Sequence, residues 1–439
     1  MDPDSVVMEY PAEYASSRAK QVGGSFYFAC VCFSIFVYVV RPGEIVPILG
    51  SARLGLASFV LVALAFFACD GLRSVRDWAP AGAGLMKLFV LLGFLAIPLS
   101  IYRSNALEGW KGLVVNVALY FFWLPAVQNP ARLRRLAVLL TLCGSSLTSC
   151  MFFFRLAASE GIRISVGKSY DPNDVAMVLA VIIPFAASLF FKGSFVAKLF
   201  WGPQIALIIL AIFETGSRGG LIALGVACGL LVFAQRDAVK LWHKLAILLA
   251  ATLFFMSPAS NLVKERYQTV LSGEDYNLQT GDKGEAGRLK IWKYSAVLMA
   301  KHPLTGVGIG NSTTALGMEY GWWKVTHNAY LEVGLELGIA GLAVFLLLLR
   351  TIWRNCTQGS DVFAEQPDLQ WLVSLAYCTR VALATYMVAG FFLSQAYSIM
   401  VPILLLLSNG LAHASRTIDD SHDGLNHREQ QFVEGSQQG

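Results

Sequence analysis

The stretch "THNAYLEVGLELGIAGLAVFLLLLR", residues 326–350, joins a polar segment with one histidine to an apolar run that ends at Arg350. A helix needs roughly 20 mostly apolar residues to cross a bilayer, and this run is long enough. His327 would then stand at one end of a membrane-spanning helix. A histidine at such a position is either an ordinary interfacial residue or a catalytic base, and this stretch alone leaves both interpretations open.

The composition extends the membrane interpretation to the whole chain. Of 439 residues, 56% are hydrophobic and 14% are charged, and the mean hydropathy is +0.57. A water-soluble protein of this length would need a more polar surface, so we predict an all-α polytopic membrane protein. The net charge of +5 is spread over many loops without the basic stripe that binds nucleic acid, and we predict no nucleic-acid partner. The eight cysteines share no metal-ligand spacing and are predicted to be packing residues.

Apolar runs predict about twelve spanning helices. They lie at 24–40, 53–70, 84–102, 110–128, 134–157, 173–191, 196–214, 218–235, 241–257, 328–350, 370–393 and 395–412. Lys and Arg are more frequent in the segments on the side of the N-terminus, which predicts that both termini are cytoplasmic. The predicted divisions are a cytoplasmic segment, nine spans, an outer loop domain, three spans and a disordered cytoplasmic tail. Their bounds are 1–23, 24–257, 258–326, 327–412 and 413–439.

The predicted outer loop, residues 258–326, is too long for a simple connection, and loops of this length are usually functional. Inside it, "EAGRLKIWKYSAVLMAKHP" (285–303) has a helix-forming composition that ends at a proline. Cations mixed with apolar residues suggest that this helix lies on the membrane surface. After it, "PLTGVGIGN" (303–311) predicts a glycine-punctuated turn that leads back to the bilayer.

Three residues on the predicted outer side could carry chemistry. In "ETGSRGGLIAL" (214–224), Arg218 stands among glycines at the head of a helix, where it could help bind an anion or extend to lipid phosphate instead. Arg288 lies in the loop helix, where a solvated cation is the ordinary alternative. His327 precedes the tenth predicted span, and Glu332 and Glu336 share one face of that helix.

The combination of these residues favours transfer chemistry. Two arginines can hold a diphosphate, and a histidine can take a proton from an attacking hydroxyl. The arginines could also stabilise a departing diphosphate without a metal. The chain has no Walker or HExxH motif, and we predict no cofactor and no metal site.

Further candidates flank these residues. Lys168, Asp171 and Asn173 lie in the outer loop before the sixth predicted span, where Asp171 and Asn173 cap a helix or contact substrate. Asn328 and Tyr330 follow His327 directly. We assign all five as candidate substrate-binding residues.

Three stretches in this order resemble the O-antigen ligase and O-antigen polymerase superfamily, most closely its ligase branch. They are "SRGG", "GRLKIWKYSAVLMAKHPLTGVGIGN" and "HNAYLEVGLELGIAGLAVFLLLL", and the similarity covers about residues 205–350. The resemblance implies a GT-C-like glycosyltransferase of the bacterial inner membrane with a periplasmic active site. Such enzymes move a glycan from undecaprenyl diphosphate to a sugar hydroxyl of lipid A-core, with inversion and without a metal.

Position by position, the resemblance assigns Arg218 and Arg288 to the diphosphate and His327 to the role of general base. Polymerases and protein O-oligosaccharyltransferases share the layout and the donor and differ in the acceptor hydroxyl. Two interpretations of other classes also stay open at this point. They are a flippase of lipid-linked sugars and a structural subunit of a polysaccharide assembly complex.

Overall fold

A computed structural model describes residues 24–46, 49–50, 52–157, 170–234, 284–364, 366 and 369–436, and its regular elements are helices. In chain order these are α1 (Ser25–Val40), α2 (Pro42–Ile45), α3 (Leu54–Ala68), α4 (Gly71–Trp78), α5 (Ala83–Ala96), α6 (Arg103–Trp123), α7 (Pro130–Ala157), α8 (Pro172–Lys192), α9 (Phe195–Thr215), α10 (Arg218–Ala234), α11 (Gly284–Lys301), α12 (Ser312–Tyr320), α13 (Ala329–Ala364), α14 (Gln370–Gly390) and α15 (Met400–Ser436). Short 3-10 turns follow α5 and α6.

Six helices in the described part of the chain are long and apolar enough to cross a membrane, or seven if the bent pair α3 and α4 is one span. The six lie in α6 with its following turn, α7, α8, α9, α13 and α14. This finding confirms the all-helical class and indicates a multi-pass membrane protein. The predicted span 241–257 lies outside the described residues, and the count of twelve stays a prediction.

The core is built around α8 and α13. Helix α8 is buried from Val175 to Ala187 and packs against α9, α10 and α14. Helix α13 packs against α5, α14 and α15. The end of α14 lies close to the start of α13, because a Cβ at Gly390 would lie 3.5 Å from the Cβ of Ala329.

Helix α13 is broken at Gly338, which has φ 69° and ψ −168°, inside the predicted uninterrupted span. A loop of the preceding segment fills the break. The Val307 N–H donates to Leu335 O at 2.8 Å, and the Ile339 N–H donates to Pro303 O at 2.8 Å. A Cβ at Gly338 would lie 2.6 Å from the carbonyl oxygens of Pro303 and Leu304. The break therefore needs glycine, both for its backbone angles and for the space.

The predicted loop helix is confirmed as α11, and its predicted position on the membrane surface stays a prediction. Ile291 and Leu298 are buried in a small second core with residues of α12 and α13. The ring of Tyr294 stacks on that of Tyr320, with centroids 4.1 Å apart. The loop after α11 returns to pair with α13, so protein covers much of the face that was expected to contact lipid.

The C-terminal helix differs from the prediction at both ends. It begins at Met400, and residues 391–399 between α14 and α15 are irregular. It continues to Ser436 through the stretch predicted as a disordered tail. That stretch has no proline and contains Arg, Glu and Gln, which tolerate a helix well despite their polarity. The low hydrophobicity that suggested disorder does not by itself oppose a helix.

Candidate active site

The candidate residues converge at one end of the helical bundle. There α1 and α14 end, and α8, α10, α13 and α15 begin. The irregular segment 391–399 runs between these helix ends, and we call it the bridging segment. It contacts the start of α13 through a hydrogen bond from Asn328 Nδ2 to Phe391 O.

His327 occupies a left-handed backbone conformation, with φ 48°. Its N–H donates to Ser394 Oγ of the bridging segment at 2.9 Å. The same hydroxyl shares a 2.8 Å hydrogen bond with Thr326 Oγ1. Positive φ is uncommon for residues other than glycine, and such strain concentrates at functional sites when neighbouring contacts hold it. The contacts with Ser394 are therefore well placed to fix the orientation of the imidazole.

The start of α13 holds His327 from the other side. Asn328 Oδ1 accepts the N–H groups of Tyr330 and Leu331, each at 3.0 Å, which makes Asn328 the helix cap. The Tyr330 hydroxyl donates to Met387 O at 2.9 Å. The side chains of Asn328 and Tyr330 thus bind other parts of the protein, and their predicted substrate contacts stay predictions.

Helix α11 brings Arg288 beside the histidine. The Trp292 indole N–H donates to Thr326 O at 3.1 Å, which anchors α11 to the residue before His327. Burial is the main cause that lowers the pKa of His327 to about 4, and the nearby Arg288 guanidinium lowers that pKa further. The imidazole is therefore neutral at neutral pH and has a lone pair available for a proton.

Asp171 approaches the same imidazole from α8. Its carboxylate accepts the N–H groups of Asn173 at 2.7 Å and Asp174 at 2.9 Å, so the predicted role of Asp171 as a helix cap is confirmed. Its negative charge opposes the effect of Arg288 on the pKa of His327. The Asn173 side-chain amide also reaches Asp171, at 3.4 Å. Lys168 lies outside the described residues.

Arg218 stands at the first turn of α10 and is half-buried. Ser217 Oγ accepts the Gly220 N–H at 3.1 Å and caps the helix. A Cβ at Gly219 would lie 2.7 Å from the Cβ of Phe392, so the glycine allows α10 to approach the bridging segment closely. This packing places the N-terminus of α10, which is the positive end of its helix dipole, beside Phe392. Phe392 lies two residues before Ser394 in the chain.

Glu332 and Glu336 tie α13 to its surroundings. Glu332 Oε2 accepts the Ala396 N–H at 3.2 Å, and Glu336 Oε1 accepts the Ser312 N–H at 3.2 Å. The sequence predicted that these two side chains share one helix face. In the structure both carboxylates accept backbone N–H groups of other segments.

Sequence reasoning missed the bridging segment. It placed helix ends at 393 and 395, because the apolar runs on either side are almost continuous. The available signal was the group of polar residues Ser394, Gln395 and Ser398 between those runs. The role of Ser394 as a partner of His327 depends on a contact across more than sixty positions of sequence, which no local pattern reveals.

The site combines a neutral imidazole, a nearby guanidinium and a helix N-terminus headed by a second arginine. Such a set can hold an anion while the imidazole accepts a proton from a hydroxyl. Where the structure describes the chain, it contains no group of three or more His, Cys, Asp or Glu residues arranged to hold a metal ion.

Comparison with known proteins agrees with the sequence resemblance. Over 314 residues the chain is 24% identical to an uncharacterized protein of Haemophilus influenzae, an alignment that covers 58% of this chain and 74% of that protein. Over 291 residues it is 24% identical to a Rickettsia conorii protein provisionally named a polysaccharide ligase, covering 62% of this chain and 68% of that protein. Residues 204–346 match the family model described as O-antigen ligase. This range includes Arg218, Arg288 and His327, and over it the chain is similar to the O-antigen ligase family.

Proposed function

We propose that this protein is an O-antigen ligase that transfers a glycan from undecaprenyl diphosphate to a sugar hydroxyl of lipid A-core. The observation that carries the proposal is the neutral His327 beside Arg288, held in a strained backbone conformation by Ser394. The match of residues 204–346 to the O-antigen ligase family model supports the reaction class. The donor, the acceptor and the residue roles are our assignment.

The proposed reaction is a single displacement. Arg218 and Arg288 hold the diphosphate, and the acceptor oxygen attacks the anomeric carbon of the donor sugar. The bond from that carbon to the diphosphate oxygen breaks, and the electron pair leaves with the diphosphate. His327 takes the proton of the attacking hydroxyl, and the configuration at the anomeric carbon inverts. The guanidinium charges stabilise the leaving group, so the step needs no metal ion.

The negative charge of a bound donor would change the pKa of His327. In the free protein, burial and Arg288 keep the pKa of His327 low. A bound diphosphate would bring negative charge to the same region and partly neutralise the arginine, which raises the pKa of a neighbouring histidine. Donor binding would therefore make the imidazole a stronger base when a hydroxyl is ready to attack.

We place the protein in the bacterial inner membrane, with both termini cytoplasmic and the site of His327 on the periplasmic side. The positive-inside bias of the loops supports this orientation. The large segment before His327 would then face the periplasm, where the lipid-linked glycan meets lipid A-core.

O-antigen polymerases and protein O-oligosaccharyltransferases are the nearest alternatives, because they would use the same donor. A strain that lacks the protein separates them. A ligase-deficient strain makes lipid A-core without O-antigen and accumulates polymeric lipid-linked glycan. Accumulation of single repeat units would point to a polymerase instead, and an intact lipopolysaccharide would exclude both.

A flippase of lipid-linked sugars belongs to a different class and needs no proton acceptor. His327→Ala would leave transport intact but would abolish transfer. The strained, clamped conformation of His327 favours the transferase, because a transporter gives no reason to fix an imidazole in this way.

A further inference from the structure

A cavity of about 220 Å³ lies next to the loop that carries His327. The end of α1, the middle of α6 and the bridging segment form its wall. The polar groups that line it include hydroxyls, amides and one guanidinium. They come from Tyr38, Arg41, Asn116, Gln395, Tyr397 and Ser398.

Two connections tie this cavity to His327. Ser394 also lines it, and the Ser394 hydroxyl accepts the His327 N–H at 2.9 Å. Arg41 also lines the cavity, and its guanidinium lies 4.2 Å from the centre of the Tyr170 ring. Tyr170 directly precedes Asp171, whose carboxylate acts on His327. A ligand in the cavity would therefore lie next to the loop that carries His327.

The backbone around the cavity supports a binding role. Irregular backbone between apolar helices persists where it is buried in protein or lines a polar cavity. The bridging segment is of this kind, and it lies between α14 and the apolar first turns of α15. Tyr397 lines the cavity, and its hydroxyl lies beside the Glu336 carboxylate.

The chemistry of the wall fits a sugar. Amides, hydroxyls and aromatic rings match the many hydroxyl groups and the apolar faces of a pyranose ring. Arg41 lies 3.8 Å from the Glu44 carboxylate, so its charge is partly balanced and suits hydroxyl groups better than a diphosphate. The volume is below the range of about 300 to 1,000 Å³ that holds drug-sized ligands, which limits the occupant to about one ring.

We propose that this cavity is a subsite for one sugar residue of a saccharide substrate and presents that ring beside His327. The proposal rests on the proposed function for the identity of the saccharide. The ring belongs to the acceptor or to the donor glycan, since both must reach the imidazole. The chemistry of recognition is the same for both, and the experiment separates them.

The test fills the cavity without touching the proposed catalytic residues. Ser398→Leu adds bulk to the wall, whereas Ser398→Ala removes only the hydroxyl, and Ser146→Leu on α7 is a matched control outside the cavity. Initial rates are measured on the full-length protein in detergent, with the acceptor and the donor varied separately. We expect Ser398→Leu to raise the KM of one saccharide about tenfold or more, the cost of one or two lost hydrogen bonds, with a smaller change in kcat. Ser146→Leu should change that KM less than about threefold, and Ser398→Ala, which removes one wall hydroxyl, should raise it by less than Ser398→Leu does.

The varied substrate whose KM rises identifies the source of the ring, and either result supports the subsite. If Ser398→Leu keeps its thermal unfolding midpoint and leaves both KM values unchanged, the proposal is overturned.

A binding measurement keeps the proposal testable if the wild-type protein shows no transfer, a result that would refute the proposed function alone. Lipid-free core oligosaccharide and a single-sugar undecaprenyl diphosphate are each titrated while the thermal unfolding midpoint is followed. Undecaprenyl diphosphate without sugar is the control for the donor. A sugar-dependent rise that Ser398→Leu loses supports the subsite. The absence of any sugar-dependent rise in the wild-type protein overturns it.

Discussion

The helical backbone is interrupted at two places near the candidate site, and the two interruptions are closed in different ways. At Gly338 in α13, the loop 303–308 inserts its own backbone and pairs with the carbonyl and N–H groups that the break releases. In the bridging segment, side chains make the corresponding contacts. Their hydroxyls and amides lie beside His327 and line a cavity.

This difference separates a structural interruption from a functional one. The break at Gly338 is filled by main chain and a Cβ would not fit, so it fixes the path of α13. The bridging segment keeps polar side chains beside an open space, which suits binding and proton transfer. Substitutions at Gly338 should therefore change stability, and substitutions around His327 should change activity.

The largest effect is expected at the functional interruption. His327→Ala should lower the rate of glycan transfer by about 10²- to 10⁴-fold, the usual contribution of a general base. The thermal unfolding midpoint should stay close to that of the wild type. His302→Ala is the matched control, because His302 is an exposed histidine just after α11. Equal rates for the two variants would mean that His327 is not the base.

The structural interruption should respond with a loss of stability. Gly338→Ala forces an alanine into a conformation that only glycine adopts readily, which costs about 1–3 kcal/mol before the steric clash with Pro303 O and Leu304 O is counted. Gly225→Ala in α10 is the control, since a Cβ there meets no atom within 4 Å. Thermal unfolding in detergent should show a lower midpoint for Gly338→Ala alone. A wild-type midpoint for that variant would show that the break does not need glycine.

An intermediate effect is expected where the bridging segment holds the histidine. Ser394→Ala removes the acceptor of the His327 N–H, a hydrogen bond worth about 0.5–1.5 kcal/mol. The transfer rate should fall about tenfold, because the imidazole loses its fixed orientation. Ser146→Ala removes a hydroxyl that bonds within α7 and should leave the rate unchanged. If both variants lose the same activity, Ser394 has no special role in positioning.

The smallest effect is a shift in pH dependence. Since the pKa of His327 is lowered from 6.5 to about 4, kcat/KM for the donor should stay constant as the pH falls through 6.5 and should decrease only near pH 4. The acid limb of kcat should lie at higher pH, because the bound diphosphate raises the pKa. Arg288→Gln should also move the kcat/KM limb upward, toward but not beyond 6.5, because burial remains. A limb at 6.5 in the wild-type protein would contradict the burial of His327.

The comparison also shows what the sequence could predict. Apolar runs located most of the described helices within a few residues. Motif order indicated a resemblance to the ligase family, which the match over residues 204–346 supports, and the roles of the three candidate residues stay predictions. The break at Gly338 was not predicted, because glycine inside an apolar run also occurs in unbroken helices. The bridging segment was not predicted for a related reason. The partners of Ser394 and Ala396 lie in another helix-loop junction, and contacts between distant segments leave no local pattern.

The helix cap at Asp171 is the opposite case, because a local sequence pattern was enough to predict it. Asp171 was predicted as a helix cap or a substrate contact, and the cap is confirmed because capping depends only on neighbouring residues. Its second property, proximity to His327, depends on how α8 packs against α14 and the start of α13. Local chemistry was thus readable from sequence, whereas the meeting of Asp171, Arg288 and His327 required the fold.

The most direct test of the central claim is a transfer assay with the purified full-length protein in detergent. Undecaprenyl-diphosphate-linked glycan and lipid A-core are mixed with wild-type protein or His327→Ala, each with and without EDTA, and glycan attached to lipid A-core is measured. The account predicts equal product from the wild-type protein with and without EDTA, and little or none from His327→Ala. Unimpaired transfer by His327→Ala, or complete loss of wild-type activity in EDTA, would contradict it.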